Sequence, residues 1–333
     1  MNVNQVAANE CLLRLPPVLG VYNSQKLFEL AYAFRQATGR VVLDATELEF
    51  VDPLGLAVLG VLLESPRSTP PVRIDWMATS VASYLDRMGL FERCTVEGVE
   101  IPRRARRDQR TNLVELTCVN ELHRADDVAN DISSAITGQL TSFDPNEAPD
   151  ATTGLTKYDA ARHTLQYVFS ELLDNSLTHA RRDGCIGSSV WVAAQHWPSR
   201  GIVRVAVVDN GCGVLRTLKH HSALTCQTHQ AAILAGLLPK VSCNRDVGVM
   251  SDSVNQGVGL TTAKRIVEAA GGSMAIVSGD GHVTSKHSRT LPRNAFWAGV
   301  AVTFTVERLK LPTVAVADLL PAQDSPPVRV RFE

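Results

Sequence analysis

Residues 171–180 of this 333-residue chain read ELLDNSLTHA and lie inside a longer segment, 158–181, in which apolar residues recur at helical spacing. This spacing predicts a helix that buries one apolar face. Glu171, Asn175 and His179 recur every fourth residue and therefore form a polar stripe along the edge of that face. A carboxylate and an amide that lie half-buried need partners, because burying either one alone costs on the order of a few kcal/mol.

This polar stripe is the first candidate for chemistry. The side-chain oxygen of Asn175 is a hard ligand of the kind that Mg²⁺ prefers. Glu171, one turn earlier, would orient or deprotonate an attacking water or hydroxyl group. His179, one turn later, is placed to approach a phosphate, although an ordinary polar residue at a helix edge explains it equally well.

A second motif joins an apolar strand to two glycines. Residues 205–213 read VAVVDNGCG, which predicts a buried strand that ends at Asp209. The Asp209 carboxylate is placed to accept a hydrogen bond from the exocyclic amine of adenine. Gly211 and Gly213 allow the backbone to lie flat against the base and to adopt positive φ. A plain turn of sequence Asp-Asn-Gly is the alternative interpretation.

A third motif, NQGVGL at residues 255–260, precedes a predicted helix. A glycine-rich loop that opens a helix presents free backbone N–H groups to a phosphate, and the helix dipole favours negative charge there. Gly257 and Gly259 are therefore candidate phosphate-binding residues. The same glycines would suit a dinucleotide-binding fold, but that fold requires a strand directly before them, and residues 242–255 lack a strand pattern.

The order of these motifs is more specific than any one of them. Residues 113–309 resemble the GHKL superfamily of gyrase, chaperone, histidine-kinase and mismatch-repair ATPases. ELLDNSLTHA resembles its asparagine box, VVDNGCGV its first glycine box and GVGLTTAKRIVEAAGG its second. The resemblance implies a two-layer α/β sandwich that holds ATP and Mg²⁺ under a mobile lid within residues 214–256. The strand and helix predicted over residues 113–140 are similar to the start of the anti-sigma-factor serine kinases.

The resemblance also implies a role for each matching residue. Glu171 would be the catalytic base, Asn175 the magnesium ligand and Asp209 the adenine anchor. The residues of the two nucleotide loops would be Gly211, Gly213, Gly257 and Gly259, with Leu260 following in the phosphate-binding turn.

The sequence departs from the family pattern at three places. Asn255 stands where the lid loop often has a glycine, and residues 279–298 form an unusual insertion. The family often has a Gly-Thr pair at the start of its last strand, and the threonine helps to hold adenine through water. Here the pair reads Gly299-Val300, so either Thr303 takes over that contact or the contact is lost.

Predicted strands and helices alternate before this region, which indicates an α/β domain over residues 1–102. The segment 41–63, VVLDATELEFVDPLGLAVLGVLL, resembles a STAS domain, the fold of anti-sigma-factor antagonists. Phosphorylatable members carry a serine just before the glycine of a D-x-x-G turn. In this chain the turn is Asp52–Gly55 and Leu54 takes the serine position, so the domain cannot be switched by phosphorylation there.

Composition bounds the remaining possibilities. A formal net charge of −1 excludes nucleic-acid binding through overall charge, and no apolar run reaches the ~20 residues of a membrane span. The seven cysteines form no C-x-x-C pair, so neither a zinc site nor a disulfide framework is expected, and a cytoplasmic location is the simplest. Residues 103–112, rich in arginine, are expected to form a linker, and residues 310–333, with four prolines, an extended tail.

Two functions remain open from the sequence. In the first, Glu171 activates water or a protein serine for transfer of the γ-phosphate of ATP, within a regulatory system. In the second, ATP orders the lid and gates binding to a regulatory protein partner, with the STAS-like domain as the docking surface. A homodimer is compatible with both. A role in nucleic-acid binding through the arginine-rich linker is a third and weaker hypothesis.

Overall fold

The computed structural model describes two units, an N-terminal unit (residues 10–101) and a C-terminal unit (residues 113–320), with gaps in each. The described residues are 10–64, 71–101, 113–137, 146–181, 184–185, 187–241 and 259–320. None of the helices in these ranges is both long and apolar enough to cross a membrane.

The N-terminal unit is built from short strands and helices that alternate along the chain. Its strands are β1 (Glu10–Arg14), β2 (Val18–Leu19), β3 (Arg40–Asp44), β4 (Phe50–Val51), β5 (Val72–Asp75) and β6 (Val96–Glu97). Its helices are α1 (Ser24–Gln36), α2 (Pro53–Glu64), α3 (Thr79–Arg87) and α4 (Leu90–Arg93). Four strands form a parallel sheet in the order β1-β3-β5-β6, and β2 pairs with β4. The predicted α/β class therefore holds for the described part of this unit, while its similarity to STAS domains stays a prediction.

The C-terminal unit carries one large sheet. Its strands are β7 (Leu113–Val119), β8 (Val190–Trp197), β9 (Ile202–Asp209), β10 (Ser273–Gly279), β11 (Gly281–Thr284), β12 (Ser288–Thr290) and β13 (Trp297–Glu307). Its helices are α5 (Ala125–Thr137), α6 (Lys157–His179), α7 (Gly213–Leu218), α8 (His229–Gly236), α9 (Gly259–Ala269) and α10 (Val316–Leu319). The strands are antiparallel and lie in the order β12-β11-β10-β13-β9-β8-β7. The insertion at residues 279–298 contributes β11 and β12, which extend the sheet at one edge.

Side chains along the sheet alternate between two buried faces. On β9, Val205 and Val207 pack against the core that includes α6 and α9, whereas Ala206 and Val208 pack against helices of the N-terminal unit. The aromatic pair Phe169 and Phe304, with ring centroids 5.9 Å apart, joins α6 to β13 within the core on the α6 and α9 side of the sheet. The predicted two-layer sandwich therefore describes the C-terminal unit taken by itself. In the whole structure the N-terminal unit covers the other face of the sheet as a second cover.

Helix α2 provides this second cover. All its residues from Pro53 to Leu63 are buried, and it packs against β8 and β9 as well as against its own unit. A helix that is apolar all round needs such contact on every side. Both units therefore share one hydrophobic core, which the sequence did not predict.

A buried ion pair links the two units. Arg204 Nη1, on β9, donates to Asp52 Oδ2 over 3.0 Å, and the side chains are 6% and 1% exposed. The Asp52 carboxylate also accepts from the backbone N–H groups of Val21, Leu54 and Gly55 at 2.9–3.2 Å. The D-x-x-G turn that the sequence singled out is thus enclosed between the units.

Two predictions outside the site need correction or fall outside the described residues. The tail is not extended where the structure describes it, because residues 308–313 form a 3₁₀ helix and α10 follows. Leu311, buried in the core of the C-terminal unit, anchors this turn to the domain. The arginine-rich linker at 103–112 and the end of the tail at 321–333 lie outside the described residues.

Candidate nucleotide-binding site

Asp209 forms the buried end of the site. It is the last residue of β9 and is 0% exposed, and the alternation along the strand turns its side chain to the face that carries α6 and α9. Its Oδ1 accepts from the backbone N–H groups of Gly211 at 2.9 Å and Val300 at 3.1 Å. Its Oδ2 is buried without a hydrogen-bond partner among the described residues, with the Ser176 hydroxyl nearby but outside hydrogen-bond geometry.

Burial dominates the electrostatics of this carboxyl group. Desolvation raises the pKa of Asp209 to about 7, against the opposing effects of its backbone donors, Ser176 and the Arg35 charge. A buried oxygen that lacks a partner is costly unless a ligand completes its hydrogen bonds. The free Oδ2 therefore marks a position for a ligand that donates a hydrogen bond, such as an amine.

The turn that follows Asp209 has no room for a side chain at either of its two glycines. A Cβ atom on Gly211 would overlap Ala180, and Gly213 has a φ of +76° with a Cβ position 2.6 Å from the Ala298 carbonyl oxygen. The backbone N–H of Cys212 donates to the Ala180 carbonyl over 3.0 Å, which ties this turn to the end of α6. The turn predicted from the two glycines thus packs directly on the helix of the ELLDNSLTHA motif.

Glu171 lies where α6 meets the start of α9. A Cβ atom on Gly259, the first residue of α9, would overlap Glu171 Oε2, so a larger residue there would displace the Glu171 carboxylate. Burial raises the pKa of Glu171, and the Asp174 charge adds to the effect, while the Tyr167 hydroxyl opposes it. The Tyr167 hydroxyl is itself buried and has no well-formed hydrogen bond to a described residue, and burial raises its pKa to about 12.

The remaining residues of the polar stripe extend from Glu171 towards the glycine turn. Asn175 is half-buried one turn after Glu171, and His179 is the last residue of α6. The His179 carbonyl oxygen accepts from Cys212 Sγ. The structure thus brings Gly259 against Glu171, one turn before Asn175, and Gly211 against the residue that follows His179 at the end of α6.

Magnesium is the metal that these residues would hold. The described residues contain no cluster of three or more His, Cys, Asp or Glu side chains that could hold a metal by itself. A single amide oxygen at Asn175 is a weak site alone, but Mg²⁺ commonly keeps its waters and binds one or two protein oxygens together with substrate phosphates. The arrangement therefore fits a magnesium ion that arrives with a nucleotide.

The expectation that Thr303 contacts adenine is wrong. Thr303 lies opposite Ala206 on β13 and shares the face that the N-terminal unit covers, and its hydroxyl donates to the Val205 carbonyl over 2.8 Å. Val300, which packs with the core on the α6 side, occupies the place next to Asp209. The Val300 side chain has no hydroxyl group, so neither Val300 nor Thr303 offers a hydroxyl next to Asp209.

The predicted lid contains two helices in its described part. Helices α7 and α8 pack on each other through a small apolar cluster that includes Leu218, Leu224 and Ala232. Val214 N donates to Ser278 Oγ over 3.0 Å, which fixes the start of α7 on β10. Gly257 and the loop at 242–258 lie outside the described residues, whereas Leu260 is half-buried at the start of α9.

Trp297 is a site residue that the motifs did not reveal. Its indole N–H donates to the Asp209 carbonyl oxygen over 2.9 Å, and the side chain is fully buried. Phe28 packs against its ring at 5.9 Å and the Arg35 guanidinium lies over it at 4.6 Å, both from α1. No sequence signal points to Trp297, because it lies in the insertion and its partners are distant along the chain.

Comparison with known proteins agrees with this geometry. A search of the curated proteins found no match. Residues 160–307 match the family of histidine kinase-, DNA gyrase B- and HSP90-like ATPases. The match covers less than half of the chain and includes all the candidate site residues. It supports an ATP-binding domain of the GHKL type over residues 160–307.

Proposed function

We propose that this protein binds ATP with Mg²⁺ at the site between Asp209 and Glu171 and transfers the γ-phosphoryl group to water or to a protein serine. The unpartnered, buried Oδ2 of Asp209 is the observation that carries the proposal. A structural aspartate in a turn would have both oxygens satisfied, whereas a base anchor keeps one for the ligand.

The adenine end of the site predicts a preference among bases. Asp209 Oδ2 would accept the exocyclic amine of adenine, while Oδ1 stays bound to the backbone of Gly211 and Val300. Guanine carries a carbonyl oxygen at the same ring position, which would face the carboxylate as a second acceptor. The site should therefore prefer adenine nucleotides strongly over guanine nucleotides.

The phosphate end of the site is formed by α6 and α9. The N-terminus of α9, beginning at Gly259, directs backbone N–H groups to the space beside Glu171, which favours an anion. Asn175 would hold the magnesium ion. When bound, Mg²⁺ neutralises negative charge on the phosphates.

Glu171 is placed to act as the base. Its raised pKa makes it a better proton acceptor than an exposed glutamate. The attacking oxygen of water or serine forms a bond to the γ-phosphorus and gives its proton to Glu171. The bond from the γ-phosphorus to the bridging oxygen breaks, and ADP leaves with that electron pair.

The test measures phosphate release and ADP binding with purified protein. Glu171→Gln should lower phosphate release by roughly 100-fold or more and leave ADP affinity nearly unchanged, because the amide keeps the shape of the side chain. Asp131→Asn, an exposed site on α5, is the matched control and should behave as wild type. Equal phosphate release from Glu171→Gln and wild type would exclude Glu171 as the base.

If wild type binds ADP but releases no phosphate, either a protein serine is the acceptor or ATP acts as a switch without phosphoryl transfer. That outcome is tested with radiolabelled ATP and candidate acceptor proteins in the same reaction. Labelling that requires Glu171 would identify a serine kinase, as the similarity to anti-sigma-factor kinases suggests. Labelling that survives Glu171→Gln would exclude this mechanism.

An ATP-gated switch is the second candidate, and one observation favours it. Trp297 contacts both Asp209 and helix α1, so the N-terminal unit touches the adenine anchor through one side chain. The face of α2 that packs on β8 and β9, however, is buried in this arrangement. A partner could use that face only after the units separate. Hydrogen exchange in α2 that is the same with and without ATP would exclude this gating.

A further inference from the structure

A groove of about 620 Å³ lies between the two units on the face of the sheet opposite Asp209. We call it the interunit groove. Its walls come from the start of α1 and from strands β10 to β13. The lining residues are Val21, Tyr22, Asn23, Ser24, Gln25, Ser273, Met274, Ala275, His282, Thr284, Ser285, Lys286, His287, Arg289, Thr303, Phe304 and Thr305.

The charges in the interunit groove are all of one sign. Lys286 and Arg289 contribute two cations and His287 a third side chain that can become cationic. None of the described lining residues is acidic, and neither Lys286 nor Arg289 forms an ion pair within the described residues. The volume is within the usual range of small-molecule sites. A concave surface with unbalanced positive charge attracts anions.

One of these cations is held in position by a buried histidine. Arg289 Nε donates to His282 Nδ1 over 3.1 Å, and His282 is only 5% exposed. Burial lowers the pKa of His282 to about 4, with the Arg289 and His287 charges adding to the effect, so the ring is a neutral acceptor near pH 7. The rest of the planar guanidinium is left for a second acceptor, and a phosphate or carboxylate fits its geometry.

The opposite wall is formed by the start of α1, where the Asn23 amide donates to the Val18 carbonyl and the Gln25 amide to the Glu29 carboxylate. Helix α1 begins at Ser24, and its N-cap residue Asn23 makes no side-chain capping bond. Both residues line the groove together with Gln25. The first turn of a helix carries backbone N–H groups that favour negative charge. The cationic strands and the helix start therefore face the same space.

The Arg204 charge below the groove is already balanced. Its guanidinium pairs with Asp52, and its Nε and Nη2 contact Thr305 Oγ1 and the Tyr22 hydroxyl. A ligand in the groove would therefore meet Arg289 and Lys286 rather than Arg204. Because the sheet separates the groove from Asp209, this site is distinct from the candidate nucleotide site.

We propose that the interunit groove binds a small anion with two or more phosphate or carboxylate groups, contacted by Arg289 and Lys286 on one wall and by the start of α1 on the other. Such a ligand bridges the two units. It therefore binds the docked arrangement in preference to a separated one and stabilises it.

The test titrates the full chain with inorganic pyrophosphate and, separately, with citrate, by calorimetry at low ionic strength. The double variant Lys286→Gln/Arg289→Gln should weaken the saturable binding at least tenfold. Arg200→Gln/Lys310→Gln removes two exposed positive charges elsewhere and should change it less than twofold. Lys286 and Arg289 are exposed, but Arg289→Gln removes the hydrogen bond to the buried His282, so the melting temperature of each double variant is measured first and must lie well above the titration temperature.

Three outcomes would overturn the proposal. They are the absence of saturable binding to wild type, equal binding to wild type and the Lys286/Arg289 variant, and equal weakening in both double variants. Pyrophosphate binding at the nucleotide site alone would be unchanged in the Lys286/Arg289 variant. The double variant therefore distinguishes binding in the groove from binding at the nucleotide site. A single-stranded oligonucleotide that binds more tightly than pyrophosphate, with the same dependence on Lys286 and Arg289, would replace the small anion with nucleic acid.

Discussion

The Asp52–Arg204 pair makes a quantitative test of the shared core possible. Asp52→Asn keeps an oxygen for the turn N–H groups but leaves the Arg204 guanidinium buried without its counter-charge. Removing one partner of a buried pair costs about 3–5 kcal/mol of the free energy of unfolding. We expect the loss of unfolding free energy caused by Asp52→Asn to lie in that range, since both side chains are almost inaccessible to water.

A double-mutant cycle isolates the ionic part of this cost. Asp52→Asn/Arg204→Met removes both charges, and Met fills part of the space of the arginine stem. The double variant should be more stable than the sum of the two single losses predicts, with a coupling of about 2–3 kcal/mol. Arg14→Gln is the control, because Arg14 is 68% exposed in its pair with Asp44 and such pairs contribute about 0–1 kcal/mol.

Urea denaturation, followed by tryptophan fluorescence and far-ultraviolet circular dichroism, measures each free energy. Trp191 and Trp297 lie in the core shared by the units, so fluorescence reports on their separation. Wild type should unfold with coincident transitions by both probes. A loss below about 1 kcal/mol for Asp52→Asn would contradict the inferred burial of the pair. Two separate transitions in wild type would contradict the shared core.

Three further predictions concern the nucleotide site. Trp297→Phe keeps an aromatic ring against Phe28 but loses the hydrogen bond to the Asp209 carbonyl. ADP affinity measured by calorimetry should therefore fall about 5- to 10-fold, or about 1 kcal/mol. Unchanged ADP affinity would exclude a positioning role for Trp297. Gly259→Ala places a methyl group on Glu171, so phosphate release should fall about 100-fold or more, and wild-type turnover would contradict the close approach. Because burial raises the pKa of Asp209 to about 7, its folded state binds a proton more tightly than the unfolded one. This group should therefore lower the stability of the ligand-free protein as pH rises from about 4 to 7, while ADP affinity rises towards pH 7 as the accepting carboxylate forms. Asp209→Asn should abolish the pH dependence of both the stability and the ADP affinity. A pH dependence that persists in this variant would belong to another titrating group.

The elements of the site could be predicted because each rests on a local pattern. The helical spacing around Glu171 gave α6, and the apolar run before Asp209 gave β9. The glycines after Asp209 indicated a turn with positive φ, and Gly213 has a φ of +76°. These signals depend on near neighbours in the chain, and that is the range over which one sequence is informative.

The assignment of Thr303 failed for a reason that follows from strand geometry. Side chains on a strand alternate between faces, so a position displaced by three residues from Val300 lies on the opposite face. The sequence pattern shows that a strand is present but does not say which set of alternate residues faces the ligand. Here Val300 faces the site and Thr303 the N-terminal unit.

Local sequence patterns could not predict the contacts between the two units. The uniform apolarity of α2 signalled a buried helix, but not that β8 and β9 would bury it. The partners of Trp297 are Phe28 and the Asp209 carbonyl, far apart in the chain, and no periodicity links them.

The N-terminal unit supports the segment around Asp209 from two sides, and this bears on the choice between enzyme and switch. On one side, Trp297 connects α1 to the Asp209 carbonyl. On the other, Glu64 at the end of α2 accepts from Ser189, whose backbone N–H donates to the Asn210 side chain. Separation of the units would remove both supports. Adenine affinity and docking of the N-terminal unit should therefore be coupled, so a catalytic site at Glu171 and nucleotide-dependent docking are compatible properties of one structure.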